Sequence, residues 1–382
     1  TAEVTRTETT TLPGALAMAI KRIGIVTGGG DCPGLNAVIR AVVKGASRKG
    51  WEAIGIHGGF DGLLRPLTSR PLDFKELGAM LVRGGTILGA SNRGRFGAKV
   101  GHGETKSIDP EILEEAKLAF EMLEIDALVC VGGDGSMSIA LQLFQYGLPV
   151  VGVPKTIDND LEGTDRTFGF DSALACATDA IDRLHSTAES HGRVMVVEVM
   201  GRYAGWIAMY SGVAGGADII LIPEIPFDYE PIVAKILERD TMGKHFTVVV
   251  VAEGARELGR DYQTIDKGEN REARLGGIGA AVAEQLTNRL ITENRPKDVR
   301  CVVLGHLQRG GPPTHYDRLL CSMFGTEAVE LIDSGGFGRM VTIQGNRITT
   351  IPIEEAVGRL KLVDLQGSVV KTARSLGICL CD

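Results

Sequence analysis

Two carboxylates lie two positions apart in the segment PKTIDND at residues 154–160, together with a lysine and a threonine hydroxyl. This set suits acid–base chemistry, because an aspartate can accept the proton of an attacking hydroxyl while nearby groups stabilise the charge that spreads in phosphoryl transfer. Asp158 is therefore a candidate general base. An Asx-rich turn would hold the same residue types for structural reasons alone, so the segment by itself leaves both interpretations open.

A further carboxylate, Asp134, lies in the segment GGDGS at residues 132–136, between residues too small to block a bound phosphate. Mg²⁺ prefers one or two carboxylates together with phosphate oxygens. Asp134 is therefore a candidate magnesium ligand. The alternative is that this aspartate only caps the helix predicted from Ser136.

A glycine-rich turn, TGGGDCPG at residues 27–34, lies between a predicted strand and a predicted helix. Unhindered backbone amides at a helix N-terminus can face an anion, so this turn is a candidate phosphate cradle. The chain contains neither the GxxxxGK[ST] pattern of a P-loop nor the GxGxxG pattern of a dinucleotide-binding turn. Taken alone, such a turn is as often structural as functional.

Cationic side chains accompany two later strands. Arg202 and the pair His306 and Arg309 follow the ends of these strands, and Arg193 and Arg300 lie at their beginnings. Guanidinium and imidazole groups can hold a sugar phosphate by charge-assisted hydrogen bonds. Any one of them would more often form a surface salt bridge, but the set indicates a phosphate site.

Alternation of strands and helices must position these loops. Short β-branched runs predict buried parallel strands, namely Ile23–Val26, Ala127–Val131, Pro149–Val153, Val194–Val199, Ile219–Ile222, Thr247–Ala252 and Cys301–Leu304. Helical spacing predicts helices at Leu35–Ser47, Pro110–Leu123, Ser136–Phe144, Ser172–Ala188, Pro231–Glu238 and Gly279–Leu290. This order predicts an α/β protein with two doubly wound, Rossmann-like domains and ligands bound beyond the carboxyl ends of the strands. A length of 382 residues suits two domains.

Composition excludes several classes of protein. The net charge of −7 disfavours nucleic-acid binding, which needs clustered Lys and Arg. No apolar run approaches the ~18 residues of a membrane span, so we expect no membrane partner. The seven cysteines are scattered, which predicts reduced thiols and a cytoplasmic protein. Cys379 and Cys381 form a C-x-C pair without nearby histidines, and we predict no metal there.

The four segments GGDGS, PKTIDND, VEVMGR and LGHLQRGGP occur together and in the order typical of the bacterial-type phosphofructokinase family, which the chain resembles from about Lys21 onward. The resemblance implies the glycolytic transfer of a phosphoryl group from ATP to the 1-hydroxyl of fructose 6-phosphate, with Mg²⁺ as the metal. It also implies a homodimer or homotetramer with substrate sites shared between subunits. The implied division of the chain is an N-terminal extension at 1–20, a phosphodonor domain at 21–169 plus 308–358, and a fructose 6-phosphate domain at 170–307 plus 359–382.

The resemblance also implies roles for individual residues. Asp158 would be the base, with Thr156 and Arg202 acting beside it, and Mg²⁺ would be held by Asp134 and Asp160. The residues around the phosphodonor and the moving phosphoryl group would be Gly30, Phe60, Arg93, Gly135, Ser136, Lys155 and Thr156. The substrate would contact Thr156, Asp158, Asp160, Met200, Gly201, Arg202 and Glu253, and its 6-phosphate would bind His306 and Arg309 of one subunit and Arg193 and Arg300 of its neighbour.

Two positions bear on the phosphodonor. Gly135 resembles ATP-using members, because pyrophosphate users carry an aspartate that fills the place of the α-phosphate. Lys155 resembles pyrophosphate users, although a lysine can coexist with a nucleotide. We therefore expect ATP, with a pyrophosphate-dependent phosphotransferase as the first alternative. Diacylglycerol and NAD kinases share the GGDG loop but lack the later segments, and a non-catalytic metabolite-binding homologue is a more remote alternative.

Overall fold

The structure of the chain is a computed structural model that describes residues 20–91, 94–97, 99–100, 104–105, 107–266 and 274–382. The predicted N-terminal extension lies outside the described residues except for Ile20. The strands are β1 (Arg22–Thr27), β2 (Glu52–Ile56), β3 (Ser69–Pro71), β4 (Lys99–Val100), β5 (Glu104–Thr105), β6 (Ala127–Gly132), β7 (Val150–Thr156), β8 (Phe168–Gly169), β9 (Val194–Val199), β10 (Ile219–Leu221), β11 (Thr247–Ala252), β12 (Thr264–Asp266), β13 (Arg274–Leu275), β14 (Val299–Val303), β15 (Arg339–Gln344) and β16 (Arg347–Pro352).

Helices alternate with these strands along most of the chain. The α-helices are α1 (Leu35–Arg48), α2 (Pro110–Leu123), α3 (Asp134–Gln145), α4 (Phe170–His191), α5 (Trp206–Ala214), α6 (Tyr229–Thr241), α7 (Ile278–Thr292), α8 (His315–Asp333), α9 (Ile353–Ala356) and α10 (Ser368–Ser375). Short 3₁₀ helices cover Gly59–Leu63, Phe74–Leu77, Met80–Val82 and Gly305–Arg309. No helix in the described part of the chain is long and apolar enough to cross a membrane.

The larger sheet has the strand order β16-β15-β7-β6-β1-β2-β3, with β8 paired to β7. The strands from β2 to β15 run parallel, and the edge strands β3 and β16 pair antiparallel to their neighbours. Residues such as Ile23, Val129 and Val151 are fully buried, as expected where helices cover both faces of a parallel sheet.

The smaller sheet has the order β10-β11-β9-β14, and all its pairs are parallel. Cys379 pairs with Ile219 and so adds a short bridge beside β10. The two parallel sheets with their helices confirm the predicted α/β class. Strands of the larger sheet come from residues 22–169 and 339–352 and those of the smaller sheet from residues 194–303. The domain boundaries given above stay a prediction.

Helix α1 shows how one helix packs in this fold. Its apolar face buries Leu35, Val38 and Ile39 against the larger sheet and α8. The helices approach so closely that a Cβ on Gly325 of α8 would lie 2.6 Å from the Cβ of Ala41. A glycine is therefore required at this crossing.

Each predicted strand and helix is present, with ends displaced by a few residues. The elements that the sequence interpretation missed include β2, β3, the hairpin β15–β16, α5, α8 and α10. Several of them are short, and α8 contains the glycine that its packing against α1 demands. Tertiary packing overrides the local preference at such places.

Candidate active site

Three of the predicted loops follow neighbouring strands of the larger sheet. In the parallel register Thr27 of β1 pairs with Val131 of β6, and Gly132 of β6 pairs with Pro154 of β7. Because parallel strands end at the same edge, the glycine-rich turn, the GGDGS loop and the PKTIDND loop lie side by side. The sheet thus brings together residues that are far apart in the chain.

The glycine-rich turn touches the start of α3 and the 3₁₀ helix Gly59–Leu63. A Cβ on Gly28 would lie 2.5 Å from the Ser136 hydroxyl oxygen and 2.7 Å from the Phe60 ring. A Cβ on Gly132 would lie 2.2 Å from the same hydroxyl. Ser136 and Phe60 therefore border the turn, and only glycine allows this close approach. Gly135 occupies the first turn of α3.

The PKTIDND loop is held by its own side chains. The Thr156 hydroxyl donates to Oδ1 of Asp160 at 3.1 Å and accepts from the Asp158 amide at 3.1 Å. Asn159 has a left-handed backbone with φ of 52°, and its side-chain oxygen accepts from the Thr167 amide at 3.0 Å. Asn159 is a structural residue that the sequence interpretation missed, although asparagine's tolerance of positive φ is a usable signal.

Lys155 is buried, and its ammonium group donates to the carbonyl of Gly30. Burial lowers the pKa of Lys155. Arg309 reaches the same turn, since Nη1 donates to the carbonyl of Asp31 at 3.1 Å and would lie 2.9 Å from a Cβ on Gly30. Two cations that are distant in sequence therefore converge on the glycine-rich turn.

The loops after β9 and β11 are joined by backbone hydrogen bonds. The Glu253 amide donates to the Val199 carbonyl at 2.8 Å, and the Gly254 amide donates to the Gly201 carbonyl at 3.0 Å. A Cβ on Gly254 would lie 1.8 Å from the Arg202 carbonyl oxygen, and Gly201 has a φ of 139°. Both positions therefore require glycine.

The loops of the two sheets meet around Glu253. Burial is the main cause that raises the pKa of Glu253 to about 7; the carboxylate of Asp158 acts in the same direction, and Arg309 and Arg202 oppose it. Asp158 follows β7 of the larger sheet, whereas Glu253 follows β11 of the smaller sheet. Arg309, which follows β14 of the smaller sheet, also donates to the Asp31 carbonyl in the turn after β1 of the larger sheet, so the carboxyl ends of both sheets face one cleft, as predicted from the fold class.

Gln308 is a second residue that the sequence interpretation left without a role. Its side chain is fully buried, and its oxygen accepts from the Met200 amide at 3.4 Å while its nitrogen donates to the Gly305 carbonyl at 3.1 Å. It thereby joins the loop after β9 to the 3₁₀ helix that carries exposed His306 and half-buried Arg309. In the sequence Gln308 is a polar residue close to His306 and Arg309, and this pattern does not predict that its side chain is buried.

Arg193 and Arg300 lie elsewhere. Both pair with Asp298, with nitrogen–oxygen distances of 2.7 and 2.8 Å. Arg193 precedes β9 and Met200 follows it, so the strand separates these two residues by about 23 Å at ~3.3 Å per residue. The structure does not bring these two arginines into the cleft of their own chain. Arg93 lies outside the described residues.

Asp134 begins α3 and is only 7% exposed. Among the residues that the structure describes, no group of three or more His, Cys, Asp or Glu side chains could hold a metal. Mg²⁺ is commonly bound through one or two carboxylates, with the remaining ligands from phosphate and water, and Asp134 and Asp160 supply carboxylates in the loops after the paired strands β6 and β7. The residues thus suit a metal that arrives with a phosphate compound.

Comparison with known proteins agrees with this geometry. A family model described as Phosphofructokinase matches residues 22–332. The chain is 53% identical over 367 residues to an ATP-dependent 6-phosphofructokinase of Chloroflexus aurantiacus, covering 96% of this chain and 99% of that protein. It is 47% identical over 347 residues to a pyrophosphate–fructose 6-phosphate 1-phosphotransferase of Amycolatopsis methanolica, covering 90% of this chain and 96% of that protein.

A solved structure extends the comparison to the fold. The phosphofructokinase of Pichia pastoris in the T-state matches with a TM-score of 0.76 at 29% identity, over 94% of this chain and 37% of that longer chain. The family match, the relatives aligned over nearly their whole length and the cleft between two parallel sheets all agree. The chain therefore belongs to the phosphofructokinase family.

Proposed function

We propose that this protein transfers the γ-phosphoryl group of ATP to the 1-hydroxyl of fructose 6-phosphate, giving fructose 1,6-bisphosphate and ADP. The observation that carries the proposal is a contact between loops of the two sheets: Nη1 of Arg309, which follows β14 of the smaller sheet, donates to the Asp31 carbonyl of the glycine-rich turn after β1 of the larger sheet at 3.1 Å. In this proposal the loops of the larger sheet form the phosphodonor side of the cleft, and the loops of the smaller sheet form the sugar side. Relatives about 50% identical that are named ATP-dependent 6-phosphofructokinase support the same activity.

Asp158 is the base in this proposal. It accepts the proton of the 1-hydroxyl as that oxygen bonds to the γ-phosphorus and the bond to the β-phosphate oxygen breaks. Thr156 supports the carboxylate-bearing loop through its hydrogen bonds to Asp160 and to the Asp158 amide. In this proposal Lys155, Arg202 and Gly30 stabilise the charge that develops on the phosphoryl group, as cations and backbone amides can.

The sugar occupies the loops after β9 and β11 in this proposal, with Met200, Gly201, Arg202 and Glu253 as its contacts. Asp134 and Asp160 would hold Mg²⁺, which, when bound, neutralises charge on the phosphate oxygens. In this proposal Gly135, Ser136 and Phe60 border the nucleotide phosphates. The absence of a side chain at Gly135 leaves space for an α-phosphate.

The 6-phosphate site is proposed to span two subunits. His306 and Arg309 of one chain lie by the cleft. Arg193 lies about 23 Å from Met200 along β9, Arg300 lies near the start of β14, and both arginines pair with Asp298. A homodimer or homotetramer in which a neighbour supplies these two arginines accounts for both positions. The domain division at residues 169/170, 307/308 and 358/359 is proposed from the family resemblance, and it agrees with the origin of the larger-sheet strands in residues 22–169 and 339–352 and of the smaller-sheet strands in residues 194–303.

Initial rates with fructose 6-phosphate, compared for ATP and pyrophosphate at equal free Mg²⁺, test the proposal. We expect turnover with ATP and formation of ADP in equal amount to the bisphosphate. Turnover with pyrophosphate alone would favour the second candidate, a pyrophosphate-dependent phosphotransferase, which buried Lys155 and the Amycolatopsis methanolica relative support. No turnover with either donor would overturn both and leave a non-catalytic metabolite-binding role.

A further inference from the structure

A short stretch of chain distant in sequence lies between the two halves of the cleft. We name residues 360–363 the linking segment. Leu360 forms an antiparallel bridge with Leu161, directly after the PKTIDND loop. The Lys361 amide donates to the carbonyl of Asp160 at 2.9 Å. The linking segment is therefore bonded to the loop that carries Asp158.

The side chain of Lys361 reaches further along the same loop. Its ammonium group donates to the Thr164 carbonyl at 2.8 Å and to the Asp165 carbonyl at 3.1 Å. Burial is the main cause that lowers the pKa of Lys361 to about 8; Arg166 acts in the same direction, and the carboxylates of Asp165, Asp160 and Glu162 oppose it. The hydrogen bonds from the ammonium group to the two carbonyls are charge-assisted.

The opposite side of the linking segment contacts helix α5. The Trp206 indole donates to the Lys361 carbonyl at 2.7 Å, and the Lys361 ammonium lies 5.6 Å from the centroid of the Trp206 ring. Glu224 extends this connection, since its carboxylate accepts from the Val363 amide at 2.9 Å and from the Gly205 amide at 3.0 and 3.1 Å. Gly205 follows the predicted sugar loop closely in sequence.

A second contact between the same elements lies beside the first. The Arg166 guanidinium, at the end of the loop that begins at Asp158, lies 5.0 Å from the centroid of the Tyr210 ring of α5. It also lies 5.1 Å from the centroid of the Phe170 ring. The loop and the helix are therefore neighbours, and Lys361 contacts both.

We propose that Lys361 is a positioning residue that holds the Asp158 loop in register with the N-terminus of α5, so that the base meets the hydroxyl of the bound sugar. The catalytic part of this inference rests on the proposed function. The role is one of positioning, because Lys361 bonds to backbone carbonyls and to an indole and not to the reacting groups. A small displacement of a base costs much rate: about 10²-fold per 1 Å.

Lys361→Met tests the proposal, because methionine keeps most of the apolar stem and removes every donor of the ammonium group. We expect kcat to fall about 10-fold to 100-fold, because the loop that carries the base loses its hydrogen bonds to the ammonium group. Lys361→Arg keeps a cation and should recover most of kcat. Lys371→Met, at an exposed position on α10, is the matched control and should behave as the unaltered protein.

Two readouts do not require activity. Amide hydrogen exchange in peptides covering residues 156–166 should be faster in Lys361→Met than in Lys371→Met. Trp206 emission, read in a Trp51→Phe background because the chain has two tryptophans, should shift when the ammonium group leaves its ring. Activity in the unaltered protein with kcat, exchange and emission all unchanged in Lys361→Met would overturn the inference. Inactivity of the unaltered protein would instead overturn the proposed function, and the exchange and emission data would still decide whether Lys361 orders the loop.

Discussion

Glu253→Gln should stabilise the folded protein while it lowers activity. Glutamine has the shape of glutamate but cannot ionise in the cleft. Burial raises the pKa of Glu253 from 4.5 to about 7, with Asp158 and Glu198 acting in the same direction. Its environment therefore disfavours the ionised carboxylate, and the folded protein keeps Glu253 at this position for the proposed contact with the sugar.

The magnitude follows from linkage between protonation and folding. A difference of about 2.5 pH units at about 1.36 kcal/mol per unit gives about 3 kcal/mol. The side chain is partly exposed, so solvent screening reduces this to between about 1 and 3 kcal/mol. Below pH 4.5 glutamate is protonated in both the folded and the unfolded state, and no penalty exists. As the pH rises from 4.5 to 7 the unfolded state ionises first, so stability is lost progressively and stays lower above pH 7.

Urea unfolding at pH 4.5 and pH 8 measures this difference. We expect Glu253→Gln to exceed the unaltered protein in free energy of unfolding at pH 8 and to match it near pH 4.5. Glu121→Gln, at an exposed position on α2, is the control and should show no such pH-dependent gain. Equal stability of Glu253→Gln and the unaltered protein at pH 8, or the same gain at both pH values, would refute the reasoning.

Three further predictions concern single side chains. Asp158→Ser should lower kcat about 10²-fold to 10⁴-fold while fructose 6-phosphate still binds in calorimetry; a loss below twofold would remove Asp158 as the base. Gly135→Asp should raise KM for ATP about tenfold or more, because a carboxylate beside the α-phosphate adds like-charge repulsion; an unchanged KM would place the nucleotide elsewhere. Cys379 should be the first thiol that iodoacetamide alkylates at pH 7, since the Cys381 thiol at 3.4 Å lowers the pKa of Cys379 whereas burial raises the pKa of Cys32 to about 12. Peptide mapping would contradict this if Cys32 reacted first.

The sequence was enough to predict the α/β class and most of the loops that form the cleft. Buried strands are short apolar runs, and parallel strands end at one edge, so the residues that follow them must lie close together. The positions of Asp134 and Asp158 follow from this rule alone. The elements missed include α8, which contains the glycine that its close packing against α1 requires.

Contacts between residues far apart in the chain were decided only by the tertiary structure. The raised pKa of Glu253 depends on its burial and on the nearby carboxylate of Asp158. The residues next to Glu253 in the sequence indicate neither of these. Lys361 looks like an ordinary surface lysine in the sequence, yet it lies between the Asp158 loop and Trp206. Local patterns report which face of a helix or strand is buried, whereas the partner across a cleft is set by how the two sheets pack. For this protein the sequence determined which residues could do the chemistry, and packing determined which of them meet.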